Sequence, residues 1–438
     1  MDDRTPSFTG KRVTVLGLGR FGGGIGVARW LSERGAIVTV TDQDTPQNLA
    51  RSVAQLEGLP IEFRLGGHDD RDFARADLVV TSPAVRPSHP MLEVARAAGV
   101  PITLEIRLFL EHCPADTTLV GITGTKGKST TTALLGLMLQ QRHRTHVGGN
   151  LGGSMLARLG DIRAGDLVVL ELSSFMLEHL ASMRWSPHVA VVTMVSQDHL
   201  DWHGGVDRYH DAKRNIVRFQ RQSDHAVLCE ENEASASFAG ATNARVTLYG
   251  LAGRPPLLLR IAGRHNQLNA QAALAAAGCL GVARQEAQLG IAGFTGLPHR
   301  MQVVHESGGI TWVNDSIATI PEAAVAANQS FPSGRVIQIV GGSDKRLDCS
   351  QMCRELAGAC KAVLTIGDIG QRLASMIRAS SPAGKVWECG DLSRAVAAAR
   401  AIAEPGDVVL LSTGTASYDQ FNNFEERGEA FERLAKRE

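Results

Sequence analysis

Between Leu119 and Thr132 the chain reads LVGITGTKGKSTTT, and this stretch restricts the possible folds more than any other. A short apolar run, Leu119-Val120-Gly121-Ile122, passes into a turn of glycines, lysines and hydroxyls. The turn passes in turn into the helical-looking Ala133-Leu134-Leu135-Gly136-Leu137-Met138-Leu139. A buried strand, a small-residue turn and a helix in that order make a phosphate cradle. Backbone N–H groups close around phosphate oxygens, Lys128 brings a mobile cation to the terminal phosphates, and Ser129 or Thr130 offers a hydroxyl to a magnesium shell. Gly124, Thr125, Lys126, Gly127, Lys128, Ser129 and Thr130 are therefore the candidate triphosphate contacts. Five residues, not the usual four, separate Gly121 from Gly127, so the loop departs from the common lysine-loop spacing.

The rest of the chain must supply the use of that triphosphate. At 438 residues it exceeds one hydrophobic core and predicts two or three domains. Lys plus Arg and Asp plus Glu are equal at 45 each, which argues against a nucleic-acid partner. Abundant glycine, few aromatics and Val/Ile/Leu strands predict an α/β enzyme. The seven cysteines show neither a CxxC pair nor zinc-type spacing and read as reduced packing thiols. The opening MDDRTPSFTGKR carries no apolar h-region, and no apolar run reaches about 18 residues. A cytoplasmic protein without membrane insertion is expected.

Upstream of the loop, Val13-Thr14-Val15-Leu16 leads into Gly17-Leu18-Gly19-Arg20-Phe21-Gly22, a helix, and a second strand ending at Thr41-Asp42. This is a βαβ pattern in which a diphosphate rests on a helix N-terminus, with Asp42 placed for a ribose or base. Leu78-Val79-Val80 ends in Thr81-Ser82-Pro83, a candidate second lip of the same crevice. This segment is taken to end near Leu104, followed by a bridging helix from Glu105 to Glu111.

Downstream, Gly148-Gly149-Asn150 displays an amide, and Asp166-Leu167-Val168-Val169-Leu170 ends at Glu171. A carboxylate just past a buried strand suits magnesium; the alternative is a helix cap at Glu171-Leu172-Ser173-Ser174. Val189 to Met194 forms another strand, ending in Ser196-Gln197-Asp198-His199-Leu200-Asp201, which makes His199 a metal- or phosphate-site candidate. Lys213, in the helical run Tyr209-His210-Asp211-Ala212-Lys213-Arg214, reads by default as a solvated surface lysine. Asn266 and Asn269 stand at the opening of an Ala-rich helix, where asparagine serves either an adenine edge or an N-cap.

The combination of GTKGKST, Gly148-Gly149-Asn150, Glu171-Leu172-Ser173-Ser174-Phe175, Asp198-His199-Leu200-Asp201 and Ala212-Lys213 resembles the Mur ligase family, ATP-dependent amide-forming enzymes of peptidoglycan synthesis. The resemblance implies that Lys213 is carbamylated to N6-carboxylysine and holds a second magnesium with His199. Ser129, Glu171, His199 and Lys213 become the expected metal residues, and Lys128, Asn150, His199 and Lys213 the expected catalytic set. It also assigns Asn266 and Asn269 to adenine. Gly17, Leu18, Gly19, Arg20, Gly22, Asp42, Gln43, Thr81, Ser82 and Pro83 are assigned to a UDP substrate.

The last third repeats the alternation of strands and helices, with polar turns at strand ends: Pro298-His299-Arg300, Asn314-Asp315-Ser316, Gly341-Gly342 with Lys345, and Ala416-Ser417-Tyr418-Asp419-Gln420-Phe421 running to Phe424 and Arg427-Gly428. These too resemble family signatures. By that match Arg300 and Asp315 serve ATP, while Thr319, Lys345, Ser417, Tyr418 and Phe424 receive an incoming glutamate, a dicarboxylate suited to lysine and hydroxyls. Ile317 stands where many members have Lys, Lys126 replaces a frequent Asn, and Tyr418 a frequent Leu.

Three α/β domains are thus expected: a Rossmann-like UDP-substrate domain over 1–104, a phosphate-loop ATPase-like domain over 105–297, and a Rossmann-like glutamate domain over 298–438. The implied substrates are ATP, UDP-N-acetylmuramoyl-L-alanine and glutamate, D expected, with two magnesium ions and a monomeric enzyme. Two rivals are a nicotinamide-dependent dehydrogenase, which leaves the lysine loop without work, and a nucleotide-switched binding protein, which leaves the terminal motif unexplained.

Overall fold

The structure is a computed structural model that describes residues 8–19, 23–151, 153–261, 263–344, 347–381 and 385–437. Arg20, Gly22 and Lys345, three of the expected site residues, lie outside the described residues. The chain forms two compact units, one of residues 1–257 with 268–291 and the other of residues 258–267 with 292–438.

The first unit holds two parallel sheets. In the N-terminal one, β1 (Arg12–Leu16), β2 (Ile37–Asp42), β3 (Ile61–Leu65), β4 (Leu78–Thr81) and β5 (Ile102–Leu104) take the order β3-β2-β1-β4-β5. Val13, Val15, Val38, Val40, Val79 and Val80 are buried, the runs of β-branched residues expected where helices cover both faces of a parallel sheet. Strand order reverses between β1 and β4, and at such a switch point the two outgoing turns part and leave a crevice. Gly17 follows β1 and Ser82 follows β4. They are so close that a Cβ on Gly17 would stand 3.2 Å from Ser82 Cβ.

The second sheet contains β6 (Thr118–Thr123), β7 (Thr145–Gly149), β8 (Leu167–Glu171), β9 (Val189–Val192), β10 (His225–Cys229) and β11 (Arg245–Tyr249) in the order β11-β10-β9-β6-β8-β7. The phosphate-loop strand β6 lies between β8 and β9. The groups that end those neighbours, Glu171 and Thr193, are therefore delivered beside the loop. The helix Glu105–His112 joins the sheets, burying Ile106, Leu108 and Phe109 in one apolar cluster with Trp30 of the first layer and Val168 and Leu170 of the second. Each such buried side chain contributes about 1.5–3 kcal/mol relative to exposure.

The second unit carries β12 (Gln302–Ser307), β13 (Ile310–Asn314), β14 (Val336–Gly341), β15 (Ala362–Ile366), β16 (Val386–Gly390) and β17 (Val408–Leu411), ordered β12-β13-β17-β14-β15-β16. All pairs are parallel except the edge hairpin β12–β13, which has an irregularity between Val303 and His305. The expected doubly wound sheet thus carries an antiparallel edge. Among the described residues no helix is long and apolar enough to cross a membrane.

Candidate active site

The loop after β6 is shaped by two left-handed or extended glycines. Gly124 has φ +150°, and a Cβ there would fall 1.9 Å from Thr193 Oγ1. That hydroxyl lies within donating distance of the carbonyls of Thr123 (3.0 Å) and Lys126 (2.7 Å), its one proton serving either, and so pins the turn to the end of β9. Gly127 has φ +91°, and a Cβ there would lie 2.3 Å from Asn269 Oδ1. The loop and Asn269 are therefore in contact. The helix Lys128–Leu139 starts directly at Lys128, with Ser129 and Thr130 buried in its first turn. Lys128 Nζ donates to the carbonyls of Gly124 and Thr125, both at 3.0 Å.

Replacing Gly124 by alanine is expected to displace Thr193 or the turn itself. A φ of this value strains any side chain, and the steric conflict adds an overpacking cost of about 1–3 kcal/mol. A lowered urea midpoint together with weakened ATP binding checks this; an unchanged ATP affinity would show that the turn tolerates the methyl group.

Lys213 is the residue the structure changes most. The reading as a surface lysine fails: the side chain is buried in the helix Val206–Arg218, and Nζ donates to the Gly124 carbonyl at 2.8 Å. Burial first, and the Lys128 ammonium second, push its pKa down to about 6; the carboxylates of Asp198 and Glu171 oppose the shift. Nζ lies 4.6 Å from the centre of the Tyr209 ring. The phenol of Tyr209 is within 2.9 Å of Thr125 Oγ1, and burial pushes its pKa up to about 12. Sequence periodicity could place Lys213 on a helix, but only the long-range packing of that helix against the loop buries it.

Glu171 ends β8 and is buried. One carboxylate oxygen, Oε1, accepts from Asn150 Nδ2 at 2.9 Å, while Oε2 has no hydrogen-bond partner. The alternative of Glu171 as a helix cap is removed, because Ser173 accepts the Met176 N–H and caps the helix Ser174–Leu180. An orphaned buried carboxylate oxygen is costly unless something cationic meets it, and a hard oxygen donor suits magnesium. Among the described residues no group of three or more His, Cys, Asp or Glu side chains gathers as a ready metal site. Of the expected metal residues, Glu171 offers that unpartnered oxygen, Ser129 and Lys213 are buried, and the His199 side chain is half exposed.

His199 has a left-handed backbone, φ +49°, and its ring lies 4.8 Å from that of Phe175. His203 was not singled out by sequence. Its ring stacks on Phe175 at 5.5 Å and 6°, and lies against Trp202 and Tyr209. Nε2 is 3.0 Å from Ser174 Oγ; Nδ1 is 2.9 Å from Glu178 Oε2 but off hydrogen-bond geometry. Burial, with Lys213 next, holds its pKa down to about 4. The available signal was the spacing His199, His203 in a short helical run.

A cavity of about 480 Å³ joins the two sheets of this unit. It is lined by Gly17, Leu18, Gly19, Asp42, Thr81, Ser82 and Pro83 on one side and by Asn150, Ser173 and Phe175 on the other. Most of the expected first-domain contacts thus share one cleft with Asn150; Gln43 is not among its lining residues. Asp42 differs from a free ribose or base acceptor: Oδ2 accepts from the N–H groups of Leu18 (2.9 Å) and Gly19 (3.1 Å), and Oδ1 from that of Asp44 (2.9 Å). Its carboxylate orders the glycine turn. Glu105, also on the cleft, accepts from Ser154 Oγ at 2.7 Å, and burial raises its pKa.

The second unit gathers three of its motifs. Asp315 Oδ1 accepts the Met301 N–H at 3.1 Å and Oδ2 the Ser412 hydroxyl at 2.7 Å. Burial pushes its pKa up to about 6 against these bonds and the nearby Arg300. Asn314 Nδ2 donates to the Gly428 carbonyl at 3.0 Å and is 3.1 Å from His299 Nδ1. Arg427, fully buried, holds Ser316 Oγ (2.9 Å), Ser316 O (2.8 Å) and Thr415 O (3.2 Å), and burial lowers its pKa to about 10. Its bonds brace the turns that carry Asp315 and Ser417. Ser417 is buried, Tyr418 is 58% exposed, and the Phe424 ring lies 6.1 Å from His299. Thr319 follows Asp315 in the same turn after β13. Asn266 is buried within the helix Arg264–Cys279, as is Asn269; neither is an N-cap, because the helix begins at Arg264.

Three stretches of the chain match domains of one family. Residues 11–104 match the N-terminal domain of the MurD-like Mur ligases, 122–258 the Mur ligase middle domain, and 299–414 the Mur ligase glutamate ligase domain. The UDP-N-acetylmuramoylalanine--D-glutamate ligase of Roseiflexus sp. (strain RS-1) is 42% identical over 464 aligned positions, covering 98% of each chain. The protein of the same name from Anaeromyxobacter dehalogenans (strain 2CP-C) is 39% identical, again over 98% of each. Among solved structures, the UDP-N-acetylmuramate-alanine ligase of Thermotoga maritima shares the fold at a TM-score of 0.61 and 21% identity, covering 92% of this chain and 96% of that one.

Proposed function

The chain belongs to the Mur ligase family, and on that premise we propose that it joins D-glutamate to the alanyl carboxylate of UDP-N-acetylmuramoyl-L-alanine at the expense of ATP. The observation that carries the reading is the cleft running from the glycine turn after β1 to Asn150. Asn150 in turn contacts Glu171, which influences Lys213, whose amine bonds the phosphate loop. A UDP-linked substrate laid along this path has its diphosphate beside the glycine turn after β1, whose Leu18 and Gly19 N–H groups Asp42 already holds, and its far end near the loop.

A carboxylate does not yield to an amine at neutral pH, because its oxygen is too poor a leaving group. The alanyl carboxylate oxygen attacks the γ-phosphorus of ATP, the bond to the β-phosphate oxygen breaks, and ADP leaves. The glutamate amine then adds to the carbonyl carbon of the acyl phosphate. The tetrahedral intermediate expels phosphate, the nitrogen loses a proton, and an amide remains.

In this scheme the N–H groups of the loop and the start of the helix Lys128–Leu139 hold the phosphates. Lys128 leaves the Gly124 and Thr125 carbonyls for the γ-phosphoryl oxygens, and Asn150 orients the acyl end. Ser129, Glu171, His199 and a carboxylated Lys213 would hold two magnesium ions, which would supply positive charge to the phosphoryl oxygens. Asn266 and Asn269 serve adenine and Arg300 and Asp315 the nucleotide. Thr319, Lys345, Ser417, Tyr418 and Phe424 receive glutamate. The same reading makes the enzyme a cytoplasmic monomer with domains at 1–104, 105–297 and 298–438.

The test is phosphate release by purified protein given ATP, magnesium, UDP-N-acetylmuramoyl-L-alanine and either enantiomer of glutamate. Release dependent on D-glutamate is expected; release indifferent to glutamate would reject the ligase, and release with L-glutamate alone would reject the stereochemistry.

A further inference from the structure

The segment that carries His199 is tied to the lip of the substrate cleft at two points far away in sequence. Trp202 Nε1 donates to the carbonyl of Ala84 at 3.2 Å, and the Arg86 guanidinium reaches Asp201 Oδ2 at 3.3 Å. Ala84 lines the cleft immediately after Thr81-Ser82-Pro83. From the opposite wall of the same cleft, the Phe175 ring lies 4.7 Å from the ring of Trp202 and 4.8 Å from that of His199. Phe175, which lies against both His199 and Trp202, thus also lines the cleft proposed for the UDP-linked substrate.

His199 needs such support. Its left-handed backbone is a conformation that a non-glycine residue keeps only where its surroundings impose it, and its own ion contact, Nε2 to Asp198 Oδ2 at 3.5 Å, is half exposed. Among the described residues the segment is held to the lip by one indole bond and one exposed ion pair; the latter is weak in water. A ligand in the cleft packs against Phe175 and the Ala84 turn, the two groups that Trp202 touches, and Phe175 is also the ring against which His199 lies.

We propose that Trp202 is a positioning residue that couples occupation of the cleft by the UDP-linked substrate to the placement of His199, and thereby to binding of the magnesium nucleotide. The proposal rests on the function proposed above. Coupling between two ligands is reciprocal, so it can be read without turnover as the change in UDP-N-acetylmuramoyl-L-alanine Kd when magnesium and a non-hydrolysable ATP analogue are added.

In the wild type the Kd is expected to tighten by about fivefold or more, the lower end of usual coupling. In Trp202→Phe, which keeps a ring against Phe175 but has no N–H for Ala84, the tightening is expected to shrink below about twofold, with the Kd in the absence of nucleotide little changed. A purely structural role would weaken both Kd values together. Arg86→Asp should also reduce the coupling, and adding Asp201→Arg should restore it; this pair decides the matter if Trp202→Phe does not fold. Equal tightening in wild type and variants, or none in the wild type, overturns the proposal. A wild type that does not bind the UDP-linked substrate at all overturns the function on which it stands.

Discussion

Lys128→Ala is expected to lower kcat by about 10²–10³-fold, the usual effect of removing one preorganised charge-stabilising donor from a transition state. In this structure the Lys128 ammonium rests on two neutral carbonyls of its own loop, Gly124 and Thr125. A triphosphate offers the same group full negative charge, so the lysine moves to it with little reorganisation. The charge to be met grows as the γ-phosphoryl group transfers, and KM for ATP should therefore rise less than kcat falls. Lys128→Arg keeps the charge but brings a planar fork into a turn closed by Gly124 and Gly127, and it too should be impaired. Steady-state kinetics with a thermal melt on each variant checks this. A Lys128→Ala enzyme with kcat within about threefold of wild type would remove Lys128 from the reaction, because its expected loss is far larger.

That experiment also tests how the site is held together. Lys128 is the second cause, after burial, of the low pKa of Lys213. Two lysines share the Gly124 carbonyl, at 3.0 and 2.8 Å, and only one of them is well placed to be charged. The division of labour follows from environment: Lys128 is partly open at the start of a helix, while Lys213 is enclosed under Tyr209. In the proposed mechanism identical side chains thus serve as a phosphate cation and as a nucleophilic amine.

How much of this was legible varies by physical cause. The strand, turn and helix around Gly124 to Lys128 are local, dictated by an apolar run broken by glycines and hydroxyls, and the structure has them where the sequence puts them. The switch point at Gly17 and Thr81 was likewise readable, since parallel strands are long apolar runs and their exits are polar. The edge strands β3, β11 and β16 were not found: Ile61–Leu65 alternates weakly, Arg245–Tyr249 is mostly exposed, and Val386–Gly390 is half buried. Such strands depend on pairing with a neighbour rather than on their own pattern. Asp42 was placed at the right turn, yet its occupation by three backbone N–H groups is a consequence of tertiary geometry. The motifs around His299, Asn314 and Gly428 are far apart in sequence, Asn314 and Gly428 by 114 residues, and only the fold brings them to one another. Burial of Lys213 and Arg427 is the clearest case, because no local pattern distinguishes a buried cation from a solvated one.

The buried amine of Lys213 carries the second large prediction. Carbamylation consumes the unprotonated form: the nitrogen lone pair adds to carbon dioxide, a C–N bond forms, and one proton leaves. With its pKa near 6, Lys213 is about nine-tenths neutral at pH 7, whereas an ordinary lysine is neutral roughly once in three thousand. Activity in bicarbonate-containing buffer should therefore fall as pH drops through about 6, and removing carbon dioxide should depress it at any pH. Lys213→Ala and Lys213→Arg should each lose about 10²-fold or more, and a short carboxylate such as acetate should restore part of the loss in the alanine variant alone. Stability gives an independent reading in carbon-dioxide-free buffer. The folded pKa lies below the unfolded value of 10.5, so between about pH 6 and 10.5 the unfolded chain binds more protons at this site, and its contribution makes stability rise with pH. Lys213→Met removes that slope and should be the more stable protein near pH 7, although inactive. A urea midpoint for Lys213→Met that is no higher than wild type at pH 7, with the same pH dependence, would show that the amine is not held neutral, and carbamylation would lose its physical basis.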